Sequence, residues 1–179
     1  MREFILFSRT GYTDGNFTNL REAGRLDLVY QCALTALFVS HNIRSDVIFR
    51  AVLTGPPKPP LCITIDGSTL HDVRVDEITW TEILKNVLSG KEHPGITVEK
   101  KSLQELVKRD EIYVLEEGGE DISKVKFGEN PVFVIGDHVG LPKNDENFVL
   151  RYGKKLSLGK QKYLAASCVD IINYNLDRI

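Results

Sequence analysis

Residues 132–135 read Val-Phe-Val-Ile and then break at Gly136. A run of branched and aromatic side chains this short, with no polar alternation, is the mark of a strand buried inside a layered sheet. Similar apolar runs occupy residues 4–7, 46–53, 61–65 and 112–115, with a weaker strand at 96–98 and short extended pieces at 148–150 and 155–158. Helical stripes lie between them. Residues 20–40 place Leu26, Val29, Tyr30, Ala33, Leu34, Leu37 and Phe38 at three- and four-residue steps, and residues 160–176 bring Leu164, Ala165, Cys168, Val169, Ile172 and Leu176 to one side. A further helix spans 79–88. A capping box at Ser102-Leu103-Gln104-Glu105 opens a short one running to Arg109. Strands alternating with helices imply an α/β fold, a mostly parallel sheet between helices, in a single domain over residues 1–179. The prolines of residues 54–60 (TGPPKPP) make a rigid loop, Asp66-Gly67-Ser68 a turn, and residues 116–121 (EEGGED) an acidic, glycine-broken loop.

In such sheets ligands bind beyond the carboxyl ends of the strands. Two segments there have unusual composition. One is Gly136-Asp137-His138-Val139-Gly140-Leu141-Pro142, whose glycines allow close approach of a flat ligand, so that a Cβ at Gly136 is expected to fill ligand space. The other is Leu156-Ser157-Leu158-Gly159-Lys160-Gln161, a strand-to-helix junction with free backbone N–H groups. Either alone reads more readily as an ordinary turn. Asp137-His138 has no nucleophile beside it and reads as a polar loop. The chain lacks G-x-G-x-x-G, G-x-x-x-x-G-K-[ST], H-E-x-x-H and G-x-S-x-G, which argues against dinucleotide oxidoreductases, P-loop NTPases, zincins and serine hydrolases.

Charge sharpens the choice of partner. The formal net charge is -2, so no global positive field attracts nucleic acid, and any such attraction must be local. Residues 147–169 contain no acidic side chain, whereas Arg151, Lys154, Lys155, Lys160 and Lys162 are basic, a sign-segregated patch suited to phosphates unless it is simply a solvated face. Tyr152 and Tyr163 lie within it and can stack on bases. The 3 cysteines form no C-x-x-C pair and read as free thiols of a reducing compartment, not as metal ligands. With neither a signal peptide nor an apolar run near the roughly 20 residues of a membrane span, a cytoplasmic location is expected, with no membrane and no metal.

Three stretches carry a resemblance: GRLDLVYQCALTALFVSHNIRSD (24–46), VFVIGDHVGLP (132–142) and LSLGKQKYLAASCVDIINYNLD (156–177). They resemble the archaeal TrmY family of SPOUT methyltransferases, which methylate nitrogen 1 of pseudouridine 54 in tRNA with S-adenosyl-L-methionine. That resemblance implies a C-terminal trefoil knot, a rare exception to ordinary chain connectivity. It also implies a homodimer with its active site near the subunit interface, and tRNA as partner. Carried onto this chain, it places the cofactor among Leu115, Gly136, Gly140, Leu156, Ser157, Leu158, Gly159 and Cys168. Cys168 is equally readable as a small core residue. Methyl transfer from a sulfonium needs alignment and a group to take the proton from nitrogen 1. Asp27 is the expected acceptor, with Arg25 orienting a phosphate or the uracil edge; a surface charge on a helix is the plainer reading of Asp27. Arg44 is expected at the RNA with Arg151, Lys154, Lys155 and Lys160, and His41 is a weaker candidate. Asp66 is a turn residue first. Two alternatives stay open: a related enzyme acting on a pseudouridine of ribosomal RNA, and a non-catalytic RNA- or nucleotide-binding α/β module.

Overall fold

The computed structural model describes residues 1–179. Strand β1 (Arg2–Ser8) leads through a long loop to helix α1 (Leu26–Leu37), and a small hairpin of β2 (Phe38–Val39) and β3 (Asn42–Ile43) returns the chain to β4 (Val47–Leu53). Next come β5 (Leu61–Asp66), α2 (Glu77–Leu88), β6 (Ile96–Glu99) and the single turn α3 (Leu103–Leu106). The chain closes with β7 (Ile112–Asp121), β8 (Val132–Gly136), α4 (Lys143–Val149), β9 (Gly153–Ser157) and α5 (Ala165–Leu176). Seven strands form one sheet in the order β6-β5-β4-β1-β8-β7-β9. From β4 to β9 every neighbouring pair is parallel, while β5 and β6 join antiparallel at the other edge. No helix is long and apolar enough to cross a membrane.

Strand β1 explains the layering. Phe4 and Leu6 pack into a core shared with Leu26 and Val29 of α1, Trp80 of α2 and Ile172 of α5. Ile5 and Phe7 point the other way, onto Leu103 and Leu106 of α3 and Val149 next to them. Each such side chain contributes about 1.5–3 kcal/mol of transfer free energy. Two buried faces therefore force the strand to read as an unbroken apolar run.

The sequence-based boundaries need four corrections. Helix α1 starts at Leu26, not at residue 20, because Gly24 and Arg25 both adopt left-handed backbone (φ 67 and 65°), and it ends where Phe38 turns extended. Residues 116–121 are not a loop but the continuation of β7. Phe148 and Val149 belong to α4; a three-residue apolar run cannot separate strand from helix. Residues 160–164 stay outside α5. The Ser102 cap does hold, with Glu105 accepting the Ser102 N–H at 2.8 Å, although the helix is shorter than its sequence suggests.

Strand pairing and a helix tie hold the C-terminal part of the chain in place. Strand β9 pairs with β7 twice, so that Leu156 faces both Leu115 and Glu120. The bend of β7 passes so closely that a Cβ on Gly119 would come within 2.5 Å of the Leu156 carbonyl carbon, and only glycine fits. Helix α5 is tied to α1 by Asn173, whose side-chain amide donates to the carbonyls of Thr35 (3.0 Å) and Ala36 (3.2 Å). Those carbonyls belong to the last turn of α1 and have no acceptor role within the helix. Nearby, Asp177 receives Arg44 through both guanidinium nitrogens (2.8 and 2.7 Å) and Arg2 at 2.9 Å. We expect Asn173→Ala to leave the two carbonyls without donors in a buried site and to cost about 1–3 kcal/mol, read as a lower urea midpoint with unchanged slope.

Candidate functional site

At the carboxyl ends of β7, β8 and β9 the chain opens a cleft of about 280 Å³. All eight positions assigned to the cofactor line it: Leu115, Gly136, Gly140, Leu156, Ser157, Leu158, Gly159 and Cys168. Apolar side chains, Ile135 among them, form the floor, and the turns around Gly140 and Gly159 form the rim. Gly140 (φ 87°) and Gly159 (φ 112°) have backbones that L side chains rarely adopt, and a Cβ on either meets no atom within 4 Å. The space in front of these two turns is open. Ser157 holds the second turn, its hydroxyl accepting the Gly159 N–H at 3.2 Å.

Gly136 departs from expectation. A Cβ there would meet the carbonyl carbon and Cα of Gly140 at 2.6 and 2.8 Å, so its glycine is demanded by the returning chain and not by ligand space. Cys168 does both things proposed for it: it packs against the main core and lines the cleft, and burial raises its thiol above the ordinary range. Leu141, Gln161 and Tyr163 also line the cleft. Leu141 and Gln161 fall within the two loops the sequence singled out, while Tyr163, read there as a base-stacking residue, faces the cleft because residues 160–164 stay outside α5.

Arg25 and Asp27 sit at the start of α1 and form a closed pair. Arg25 Nε donates to Oδ1 at 2.9 Å and Nη2 to Oδ2 at 3.0 Å, while Nη1 makes no hydrogen bond within the chain. The Asp27 side chain is 13% exposed, which sets aside the reading of an idle surface charge. Hydrogen bonding to Asp27 raises the Arg25 guanidinium further above its already high value, and Asp137, which lines the cleft, adds to that field.

The basic segment is not segregated in space. Lys155 pairs with the buried Glu146 at 2.9 Å, Lys162 with Glu117 at 2.8 Å, and Lys154 with Glu120 at 3.6 Å. The first of these, with help from Lys143, holds the Glu146 carboxyl below the usual carboxylate range. Glu117 and Glu120 lie on the stretch of β7 that a linear reading treats as a remote loop. Arg151, stacked over the Phe148 ring at 5.3 Å, and Lys160 have no carboxylate partner. Tyr152 and Tyr163 remain exposed. Arg44 is engaged by Asp177, His41 is an exposed turn residue of the β2–β3 hairpin, and Asp66 caps its own turn by accepting from Ser68. No cluster of three or more His, Cys, Asp or Glu side chains is arranged to hold a metal ion.

Comparison with known proteins adds an independent line. A family model described as "Putative SAM-dependent RNA methyltransferase" matches residues 1–179. A tRNA (pseudouridine(54)-N(1))-methyltransferase of Methanocaldococcus jannaschii is 39% identical, with 99% of this chain and 97% of that protein aligned. Proteins of the same name from Thermococcus kodakarensis (36% identical; 99% of each chain) and Methanocella arvoryzae (33%; 99% and 100%) align as completely. Among solved structures, Archaeoglobus fulgidus Nep1 bound to S-adenosylhomocysteine shares the fold, with TM-score 0.67 and 16% identity over 91% of this chain and 75% of that one. A structure described as concerning 2-OH methylation of C/U34 on tRNA superposes with TM-score 0.54 and 13% identity over 99% and 89%. The full-length match and the cleft at the strand ends agree, and the chain belongs to this family of S-adenosylmethionine-dependent RNA methyltransferases.

Proposed function

We propose that this protein transfers the methyl group of S-adenosylmethionine to nitrogen 1 of pseudouridine 54 in the T-loop of tRNA. The observation that carries the reading is the cleft: an apolar floor with two open, positive-φ glycine turns, in a chain aligned end to end with tRNA (pseudouridine(54)-N(1))-methyltransferases. The cofactor supplies an electrophilic methyl carbon on a sulfonium. The chain's own part is to bind, align and deprotonate. Leu115, Leu156 and Leu158 would give the adenosine an apolar bed, and the Gly140 and Gly159 turns would let main chain approach it. Asp27 would accept the proton that nitrogen 1 gives up, while the bound cofactor would supply the methyl group and leave as S-adenosylhomocysteine. Arg25 holds that carboxylate with two of its nitrogens and keeps Nη1 for a phosphate or the uracil edge.

The SPOUT-type trefoil knot, the homodimer and the cytoplasmic setting belong to the same proposal. Support for the knot comes from β7 closing around Leu156 from two sides. Support for the dimer comes from Leu164 beside the cleft and Tyr174 on α5, which are 78% and 62% exposed. The free state of Cys32, Cys62 and Cys168 fits a reducing compartment.

Mass spectrometry of nucleosides, after incubation with S-adenosylmethionine and pseudouridylated tRNA, should show N1-methylpseudouridine, and none when position 54 is uridine. Methylation of ribosomal RNA alone would move the substrate, and no product on either RNA would overturn the reading. In the same assay Asp27→Asn should slow single-turnover transfer by roughly a hundredfold while both ligands still bind.

Gly159→Ala should cost about 1 kcal/mol of stability from backbone strain. Calorimetry should show at least a tenfold loss of S-adenosylhomocysteine affinity, since the new Cβ enters the open side of the turn; retained affinity would argue against ligand contact there.

For RNA, Arg151→Ala with Lys160→Ala should weaken tRNA binding and flatten the log–log salt slope by about 0.7–0.9 per lost phosphate contact. Replacing Lys154 and Lys155 together should flatten it less, because both already face carboxylates.

A further inference from the structure

The loop after β8 and the loop after β1 are fastened to each other, and the fastening continues to the Arg25–Asp27 pair. Asp137, whose side chain is 3% exposed, accepts the Arg9 N–H through Oδ2 at 2.8 Å and the Val139 N–H through Oδ1 at 2.9 Å. In the opposite direction, Arg9 Nη2 donates to the Gly140 carbonyl at 3.2 Å. The next residue extends the link: the Thr10 hydroxyl donates to the Gly24 carbonyl at 2.8 Å. Gly24 lies so close that a Cβ on it would run into the Thr10 main chain, with 2.5 Å to the carbonyl carbon. From the other side Gly55 leaves no room either; its N–H donates to the Gly11 carbonyl at 3.0 Å, and Thr54 donates to the Arg9 carbonyl at 2.8 Å. Residues 9–11 are thus wedged between the proline-rich loop and the turn that launches α1. Arg25 follows Gly24 directly, in the same left-handed conformation.

None of these polar contacts fills a core or caps a helix. The sequence alone made Asp137 a bland polar residue; its buried carboxylate in fact serves two backbone donors that lie in different loops. A charged acceptor is suited to this, since each oxygen can take one N–H, whereas a carboxamide offers only one acceptor atom.

We propose that Asp137 and Thr10 are positioning residues that, with Arg9, set the Arg25–Asp27 pair against the methyl donor. Asp137 fixes the loop that lines the cofactor cleft, Arg9 bridges it, and Thr10 transmits that placement to Gly24 and the first turn of α1. This rests on the reading of Asp27 as the proton acceptor.

The test is single-turnover methyl transfer at saturating S-adenosylmethionine and tRNA, which removes any change in affinity from the rate. Asp137→Asn and Thr10→Val should each lower the rate about tenfold. Thr10→Ser, which keeps the hydroxyl, should restore it, and Thr10→Val should retain the wild-type melting temperature and S-adenosylhomocysteine affinity. Because the effect runs through Asp27, adding Thr10→Val to Asp27→Asn should cost less than threefold more. A folded Thr10→Val at the wild-type rate overturns the proposal, as does a double variant whose losses multiply. Should Asp27→Asn alone keep the wild-type rate, the proton-acceptor reading is what fails, and the positioning role fails with it, whatever Thr10→Val does.

Discussion

Leu156 is gripped from two sides by one strand. Its main chain pairs with Leu115 before the bend of β7 and with Glu120 after it, and its side chain is fully buried. The β7–β9 side of the ligand cleft hangs from that grip. Leu115 and Leu156 form adjacent parts of the floor because they are ladder partners, and Leu158 and Gly159 reach the rim because they follow Leu156 within one turn. Gly119 is the structural condition for it, since any side chain there would strike the Leu156 backbone. The floor is therefore a property of strand pairing, while the rim is made of turns held by single polar contacts such as Ser157 to Gly159.

Arginines divide into two kinds by what surrounds them. Arg50 and Arg109 converge on Glu3, a carboxylate on the central strand that is nearly removed from solvent. Arg2 and Arg44 converge on Asp177 at the end of α5. Removing Glu3 would leave two guanidinium charges uncompensated side by side, the costly case for ion pairs withdrawn from solvent. These four hold strands and the last helix together. Arg9 and Arg25 are different: they sit on loops at the carboxyl end of the sheet, Arg9 bridging to the Gly140 carbonyl and Arg25 held by Asp27.

Much of this was legible in the residues, and the failures have physical causes. Unbroken apolar runs gave the buried strands, because burial on both faces leaves no polar position. Glycines following β8 and β9 marked the cleft, because left-handed backbone at Gly140 and Gly159 excludes other side chains. Residues 116–121 were illegible as strand: Glu-Glu-Gly-Gly-Glu-Asp has no β preference, and its pairing is imposed by β9 alone. The same error hid the charge balance, since Glu117 and Glu120 reach Lys162 and Lys154 only once β7 is extended. Arg25 in left-handed conformation was equally invisible, because nothing in a Gly-Arg-Leu-Asp string announces a non-glycine residue at positive φ. The catalytic assignment came from family resemblance, not from periodicity.

The closure of β7 around Leu156 also bears on how the chain reaches its native state. A strand at the edge of a sheet can ordinarily add by lateral zippering, one ladder at a time. Leu156 cannot finish that way, because its second partner, Glu120, lies beyond a bend that passes over it. Residues 115–121 and 153–157 come together across β8 and α4, so both ladders must form on the same residue of β9. The floor of the ligand cleft is built on this pair, so it exists only in a chain whose β7 has closed over β9.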